Sequence, residues 1–210
     1  MSDPQIQTDG RVERAKSRRE KRRREILECA RTVIGARGYT ATTIDDVIEE
    51  AGISRGTFYN YFDGREPLFL ELLDDYLAAL RAEVETISME HPEPLAALYG
   101  NIERMVRRMI DSPDLTTILF REAVGAGEDI DQRVHAFYAF LRGHVVGALK
   151  KGAARGVTRE VDVELVSSAI IGAVKEVLTQ HVVVARDRTL DVDRIVQAIF
   201  DFGYLGLRTS

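Results

Sequence analysis

The chain has 210 residues, 45% apolar and 30% charged, the composition of a folded globular protein with a sizeable core and not of a disordered one. Its single cysteine, Cys29, excludes an internal disulfide and reads as a small buried apolar residue of a reducing compartment. No apolar run reaches the ~20 residues that span a bilayer, and MSDPQIQTDG lacks the apolar centre of a signal peptide, so a cytoplasmic location is expected.

The net charge of −5 is unevenly spread. Arg11 to Arg24 holds nine Lys/Arg against two Asp/Glu, whereas from Gly64 onward there are 17 against 23. A basic segment ahead of an acidic body points to nucleic-acid contact at one end, because the charge that matters for binding is local.

In chain order, residues 1–15 show no sustained period and are expected to be a mobile arm. Ser17 is a candidate cap, and Ile26, Leu27, Ala30, Val33 and Ile34 set a helical stripe that ends near Gly38. Arg18, Arg19 and Arg22 lie on this helix as candidate phosphate contacts; a plain solvated face is the competing reading. Next comes TIDDVIEEAGISRGTFYNYF, Thr43 to Phe62. Thr43 caps a short helix whose first turn carries Asp45 and Asp46, and Ile44, Val47, Ile48 and Ala51 give it one apolar face. Gly52 stands where a helix end wants a left-handed residue, and Ser54 caps a second helix. That helix has Phe58 and Phe62 as its clear apolar anchors and otherwise shows Arg55, Gly56, Thr57, Tyr59, Asn60 and Tyr61. A short helix anchored on two rings, with hydrogen-bonding tips elsewhere, suits a DNA major groove.

After Phe62, Asp63 is a candidate cap and Pro67 is tolerated in a first turn. Leu68, Leu72, Tyr76, Leu80, Val84 and Ile87 predict a helix from Arg65 to Ile87, about 35 Å long at 1.5 Å per residue. His91–Pro94 breaks it; a helix to about Ile110, a break at Asp111–Pro113 and a shorter helix with Leu115, Ile118, Leu119 and Phe120 follow. Gly125–Asp131 reads as a loop, then Val134 to Leu149 as a long helix, Asp162 to about Val184 as an apolar helix rich in small residues, and Asp191 to Leu207 as the last. No stretch alternates convincingly as a strand; HVVVA continues a helix. The fold expected is all-α, with 16–64 as an N-terminal three-helix, helix-turn-helix domain joined by a long helix to a second helical domain over 65–210.

The segment from Ile26 to Phe69 resembles the TetR family of bacterial transcription regulators. The resemblance rests on Gly38-Tyr39, Thr43, Ala51-Gly-Ile-Ser54, Gly56-Thr-Phe-Tyr59, Phe62 and Arg65-Glu66 at the family's spacing; the remaining two thirds match in helical architecture alone. It implies that Thr57, Tyr59 and Tyr61 face DNA, that Arg55 reaches bases, that Tyr59 meets phosphate, and that Thr43 meets the backbone. Arg65 takes a position where the family commonly has a phosphate-binding Lys. Asp63 departs from the family, where Lys is frequent, and removes one phosphate contact; Pro67 departs too, harmlessly.

The chemistry of the side chains sorts the same residues. Arg reads guanine O6 and N7, and Asn or Thr meets adenine or a thymine methyl, so Arg55, Thr57 and Asn60 are candidate readers. Thr43, Tyr59, Tyr61 and Arg65 position the helix on phosphates, and Ser54 and Gly56 complete the facing surface. One short helix reads too few base pairs for genomic specificity, so a two-fold homodimer on a palindromic operator of double-stranded DNA is expected. The dimer interface is assigned to Ala169, Ile170, Ala173, Val177, Ile195, Ile199 and Phe202 of the last two helices; an intramolecular core is the alternative. Tyr99, Met105, Met109, Phe120, Phe137, Phe140 and His144 form a candidate pocket for an apolar or aromatic effector, against the reading that each is ordinary core. No cofactor or metal is expected. The main rival, an enzyme, lacks a phosphate-binding loop, an HExxH, a Cys/His cluster or a triad; Asp131 and His135, four apart, lack a third ligand. An architectural DNA-binding protein without an effector remains the second rival.

Overall fold

The computed structural model describes residues 4–87, 94–186 and 191–207, and every regular element among them is helical. The chain divides into two compact units, Met1–Leu72 and Leu73–Ser210, the division falling inside one helix.

The first unit contains α1 (Pro4–Arg37), α2 (Ile44–Ala51), α3 (Arg55–Tyr59) and the start of α4 (Arg65–Ala82). Helix α1 begins well before the cap expected at Ser17. All five residues of its expected stripe, Ile26, Leu27, Ala30, Val33 and Ile34, are buried, and they meet Tyr39, Val47, Phe58, Phe62, Leu68 and Phe69 in one core. The Tyr39 and Phe69 rings lie 4.0 Å apart between centroids, closing the corner after α1 against α4.

The second unit holds the rest of α4, then α5 (Pro94–Asp111), α6 (Pro113–Thr117) leading into a π-helical turn (Ile118–Glu122), α7 (Glu128–Ala154), α8 (Val163–Leu178) leading into a second π-helical turn (Thr179–Val184), and α9 (Val192–Leu207). Helix α7 packs on α8, and α5 on α9. The core runs through Leu77, Leu80, Val106, Leu119, Phe137, Leu178 and Val196. Within it Thr116 donates to the Met109 carbonyl at 2.7 Å, so Tyr76 donates to Thr116, also at 2.7 Å. Burial raises the Tyr76 phenol well above its usual value.

Besides the start of α1, two boundaries and the winding of two segments differ from the sequence expectation. Helix α4 stops at Ala82 and not Ile87, because Asn101 of α5 exchanges two hydrogen bonds with the Glu85 backbone and Arg104 donates to the Glu83 carbonyl, replacing helical bonds with side-chain ones. Helix α7 begins at Glu128, inside the expected loop; Glu128, Asp129 and Asp131 in its first turn favour the positive end of the helix dipole, and Asp131 accepts from the Gly125 amide. Residues 118–122 and 179–184 are wound as π-helix and not α-helix. The expected break at His91–Pro94 lies, apart from Pro94, outside the described residues.

Candidate nucleic-acid interface and effector cavity

Helix α2 is set by its own termini. Thr43 Oγ1 accepts from the Asp46 amide at 3.2 Å, and Asp46 accepts from the Thr43 amide at 2.7 Å, a reciprocal capping box. The Thr43 hydroxyl also donates to the Asp46 carboxylate at 2.7 Å, and that bond, with the one from the Thr43 amide and the help of Arg37, holds the Asp46 carboxyl below the usual carboxylate range. At the other end Gly52 adopts φ +60°, which lets its amide and that of Ile53 return to the Glu49 and Ile48 carbonyls. The chain is thereby turned straight into Ser54, whose hydroxyl accepts from the Thr57 amide at 3.1 Å and starts α3.

Helix α3 is held from beneath. Phe58 is fully buried and Phe62 nearly so, with ring centroids 5.9 Å apart. The opposite face carries Arg55, Gly56, Tyr59 and Asn60 exposed, Thr57 and Tyr61 half-buried. Tyr59 stands edge-on to Phe58, 47% of its surface open to solvent, so its hydroxyl is presented outward on a fixed ring. A Cβ on Gly56 would meet nothing nearer than Ser54 Oγ at 3.9 Å, so this glycine leaves the helix face flat without any steric need of its own.

The arginines divide into open and committed groups. Arg18, Arg19 and Arg22 of α1 are exposed. Arg19 also donates to the Asn60 carbonyl at 3.1 Å and lies 5.8 Å from the centre of the Tyr61 ring, compensating the negative end of α3, and Arg22 pairs with Glu25. Arg23, singled out by no sequence signal, is a bracket: it pairs with Glu71, donates to the Tyr61 carbonyl and lies over the Phe62 ring. Arg65 uses one nitrogen for the Tyr39, Thr40 and Thr42 carbonyls at 3.2, 3.3 and 2.9 Å and stacks 4.5 Å over Tyr39. The expected phosphate clamp is thus also a structural tie for the α1–α2 corner. Arg55, the expected base reader, reaches back to both carboxylate oxygens of Asp45 on α2, the longer bond at 2.7 Å, which raises its already high pKa. Asp63 is exposed, and the first bond of α4 goes to the Gly64 carbonyl, so Gly64 stands at the cap position given to Asp63.

In the second unit, three adjoining cavities lie among α5, α7, α8 and α9. The largest, about 380 Å³, is lined by Met105, Phe140, His144, Asn101, Glu85 and Lys151 among others. A second, about 100 Å³, takes Met105, Met109, Phe120 and Phe137 together with Tyr138 and Lys175. A third, about 120 Å³, carries Lys151, Arg155 and Thr158. Six of the seven expected pocket residues therefore line a cavity. Tyr99 lines none of the three and instead stands edge-on to Phe200, 5.3 Å away. Among the lining residues not assigned to the pocket from sequence are the polar Asn101, Lys151, Arg155 and Lys175, whose amide or charge hides them from an apolar pattern, and Tyr138, which reads there only as part of the apolar stripe of its helix. His144 is tied to the Phe140 carbonyl one turn back.

The expected interface residues separate. Phe202 is 76% exposed and Ala169 is exposed, beside exposed Leu165, Ser168, Gly172 and Ala198 on the same two helices. Ile195 and Ile199 are 9% exposed, packed inside their own chain, and Ile170, Ala173, Ile199 and the exposed Phe202 line one cavity. Val177 is half-buried. Among the described residues no group of three His, Cys, Asp or Glu could hold a metal ion, and no helix is long and apolar enough to cross a membrane.

A family model for bacterial regulatory proteins of the tetR family matches residues 26–72. The chain is 32% identical to the uncharacterized HTH-type transcriptional regulator YfiR of Bacillus subtilis over 119 residues, 56% of this chain and 58% of that one. It is 37% identical to the HTH-type transcriptional repressor KstR2 of Mycolicibacterium smegmatis over 79 residues, 38% of each chain. The match thus spans well under two thirds of either relative. The solved structure of the ketosteroid transcriptional regulator KstR2 of Mycobacterium tuberculosis superposes with a TM-score of 0.76 at 25% identity, covering 90% of this chain and 96% of that one.

Proposed function

We propose, from the similarity of residues 26–72 to the TetR family of bacterial transcription regulators and of the fold to its solved structures, that the chain is a cytoplasmic repressor that binds a palindromic operator as a homodimer and leaves it when a small, largely apolar effector occupies the second unit. The observation that carries the DNA reading is α3 itself, a helix fixed from below by Phe58 and Phe62 with Arg55, Tyr59 and Asn60 presented outward. Arg55, Thr57 and Asn60 read bases. Thr43, Ser54, Gly56, Tyr59, Tyr61 and Arg65 set α3 on the backbone with Arg18, Arg19 and Arg22 of α1.

The pair Arg55–Asp45 is exposed on both sides, and such pairs are weak in water. A bidentate contact to guanine is the stronger of the two, so DNA withdraws Arg55 from Asp45 on binding. Dimerisation uses the exposed face of α8 and α9 around Leu165, Ala169 and Phe202. Ile195 and Ile199 support that face from within.

Effector release follows if the ligand binds the DNA-incompetent arrangement more tightly, since a ligand shifts a two-state equilibrium only by its differential affinity. The cavities of the second unit favour this over the architectural reading, which calls for a filled interior. The test is a gel shift on selected operator DNA with and without a compound shown by calorimetry to bind. Release of the DNA is expected; a bound compound that leaves operator affinity unchanged would sink the effector part.

A further inference from the structure

The cavities of the second unit are apolar over most of their walls but not electrically neutral. Their charged lining is Lys151, Arg155 and Lys175 against the single acid Glu85. Among the described residues that line the cavity of about 100 Å³ there is no Asp or Glu, and those that carry a polar side-chain group are Tyr138 of α7 and Lys175 of α8. The Tyr138 hydroxyl is buried and has no hydrogen-bond partner among the described residues. Buried polar groups are paired in the great majority of cases, and an orphan calls for a missing partner. Burial pushes this hydroxyl up to about 12, so it is protonated at neutral pH and offers a donor. The Lys175 ammonium stands 5.6 Å from the centre of the Tyr138 ring and 5.9 Å from that of Phe120. Helices α7 and α8 pack on each other, so donor and cation are held together by the fold.

A neutral alcohol or ketone would satisfy Tyr138 and bring no anion to the Lys175 charge, which among the described residues meets only rings. A carboxylate answers both. We propose that this cavity takes an apolar carboxylic acid, its carboxylate accepting from Tyr138 Oη and paired with Lys175 Nζ. The hydrocarbon body lies along Ile102, Met105, Leu141 and Val145, the walls shared with the cavity of about 380 Å³. The proposal rests on the reading of the second unit as effector-binding and gives that effector a chemical class.

Calorimetry on the full chain with decanoate and with 1-decanol tests it. Decanoate is expected to bind at least tenfold tighter than decanol. Tyr138→Phe and Lys175→Met are each expected to weaken decanoate roughly tenfold, the size of one charge-assisted hydrogen bond, while decanol stays within about twofold. The unliganded Tyr138→Phe chain should melt at or above the parent temperature, because it loses a hydroxyl that had no partner, so weakened binding in it cannot be put down to misfolding. Equal binding of the two probes, binding of neither, or undiminished decanoate binding in Tyr138→Phe would overturn the proposal. The effector reading is scored separately by gel shift: decanoate that binds as expected but leaves DNA affinity unchanged contradicts release and not the carboxylate site.

Discussion

At Arg55 and Arg65 the same side-chain type has two different duties. Arg55 is held by a carboxylate that solvent reaches, so DNA can displace it. Arg55→Ala should therefore lower discrimination between the operator and a base-changed operator about tenfold, measured by competition gel shift. Asp45→Asn, which frees Arg55 and removes a negative charge, should strengthen binding to every sequence. Arg65 is different, because three backbone carbonyls depend on its one nitrogen. Its removal should destabilise the chain by about 1–3 kcal/mol as well as weaken DNA binding, which a denaturant melt will separate from a pure phosphate contact. Asp46 gives a pH prediction. Its bonds to Thr43 depress its pKa in the folded chain, so its contribution to stability is present above the ordinary carboxylate pKa and lost as pH falls through the depressed one. Asp46→Asn should flatten the acid limb of the stability–pH curve; an unchanged limb would mean that the box contributes nothing.

The elements most legible in the sequence are those governed by neighbours in the chain. The caps Thr43 and Ser54, the left-handed Gly52 and the five-residue stripe of α1 act within a few positions, so local rules reach them. What was not legible depends on distant partners. The end of α4 is decided by Asn101, and Arg23 acquires its meaning from Glu71, 48 positions away. The π-helical turns at 118–122 and 179–184 carry no local signature at all. Helix α9 shows the limit of pattern reading, since apolar residues on one helix divide between an inward face, with Ile195 and Ile199, and an outward one, with Phe202. The prediction follows that split. Phe202→Arg should yield a monomer of near-parental melting temperature by light scattering, whereas Ile199→Ala should cost about 2–4 kcal/mol of stability. A Phe202→Arg chain that stays dimeric would move the interface off α9.

For the molecule as a whole, an acidic protein with a pI of about 5.5 is read as a DNA binder because its basic residues are gathered on α1 ahead of α2 and α3. The Met and Phe residues marked the helices that enclose the cavity of about 100 Å³, while Tyr138 and Lys175 come together only through the packing of α7 on α8. Sequence-specific recognition by two copies of α3 related by a two-fold axis is what the proposed function requires of the molecule. The most direct measurement is to select random-sequence DNA on the purified full chain over several rounds and sequence what is retained. One enriched motif made of two inverted half-sites at a fixed spacing is expected, lost in the Arg55→Ala chain. Retained DNA with no common motif, or with a single half-site, would contradict it.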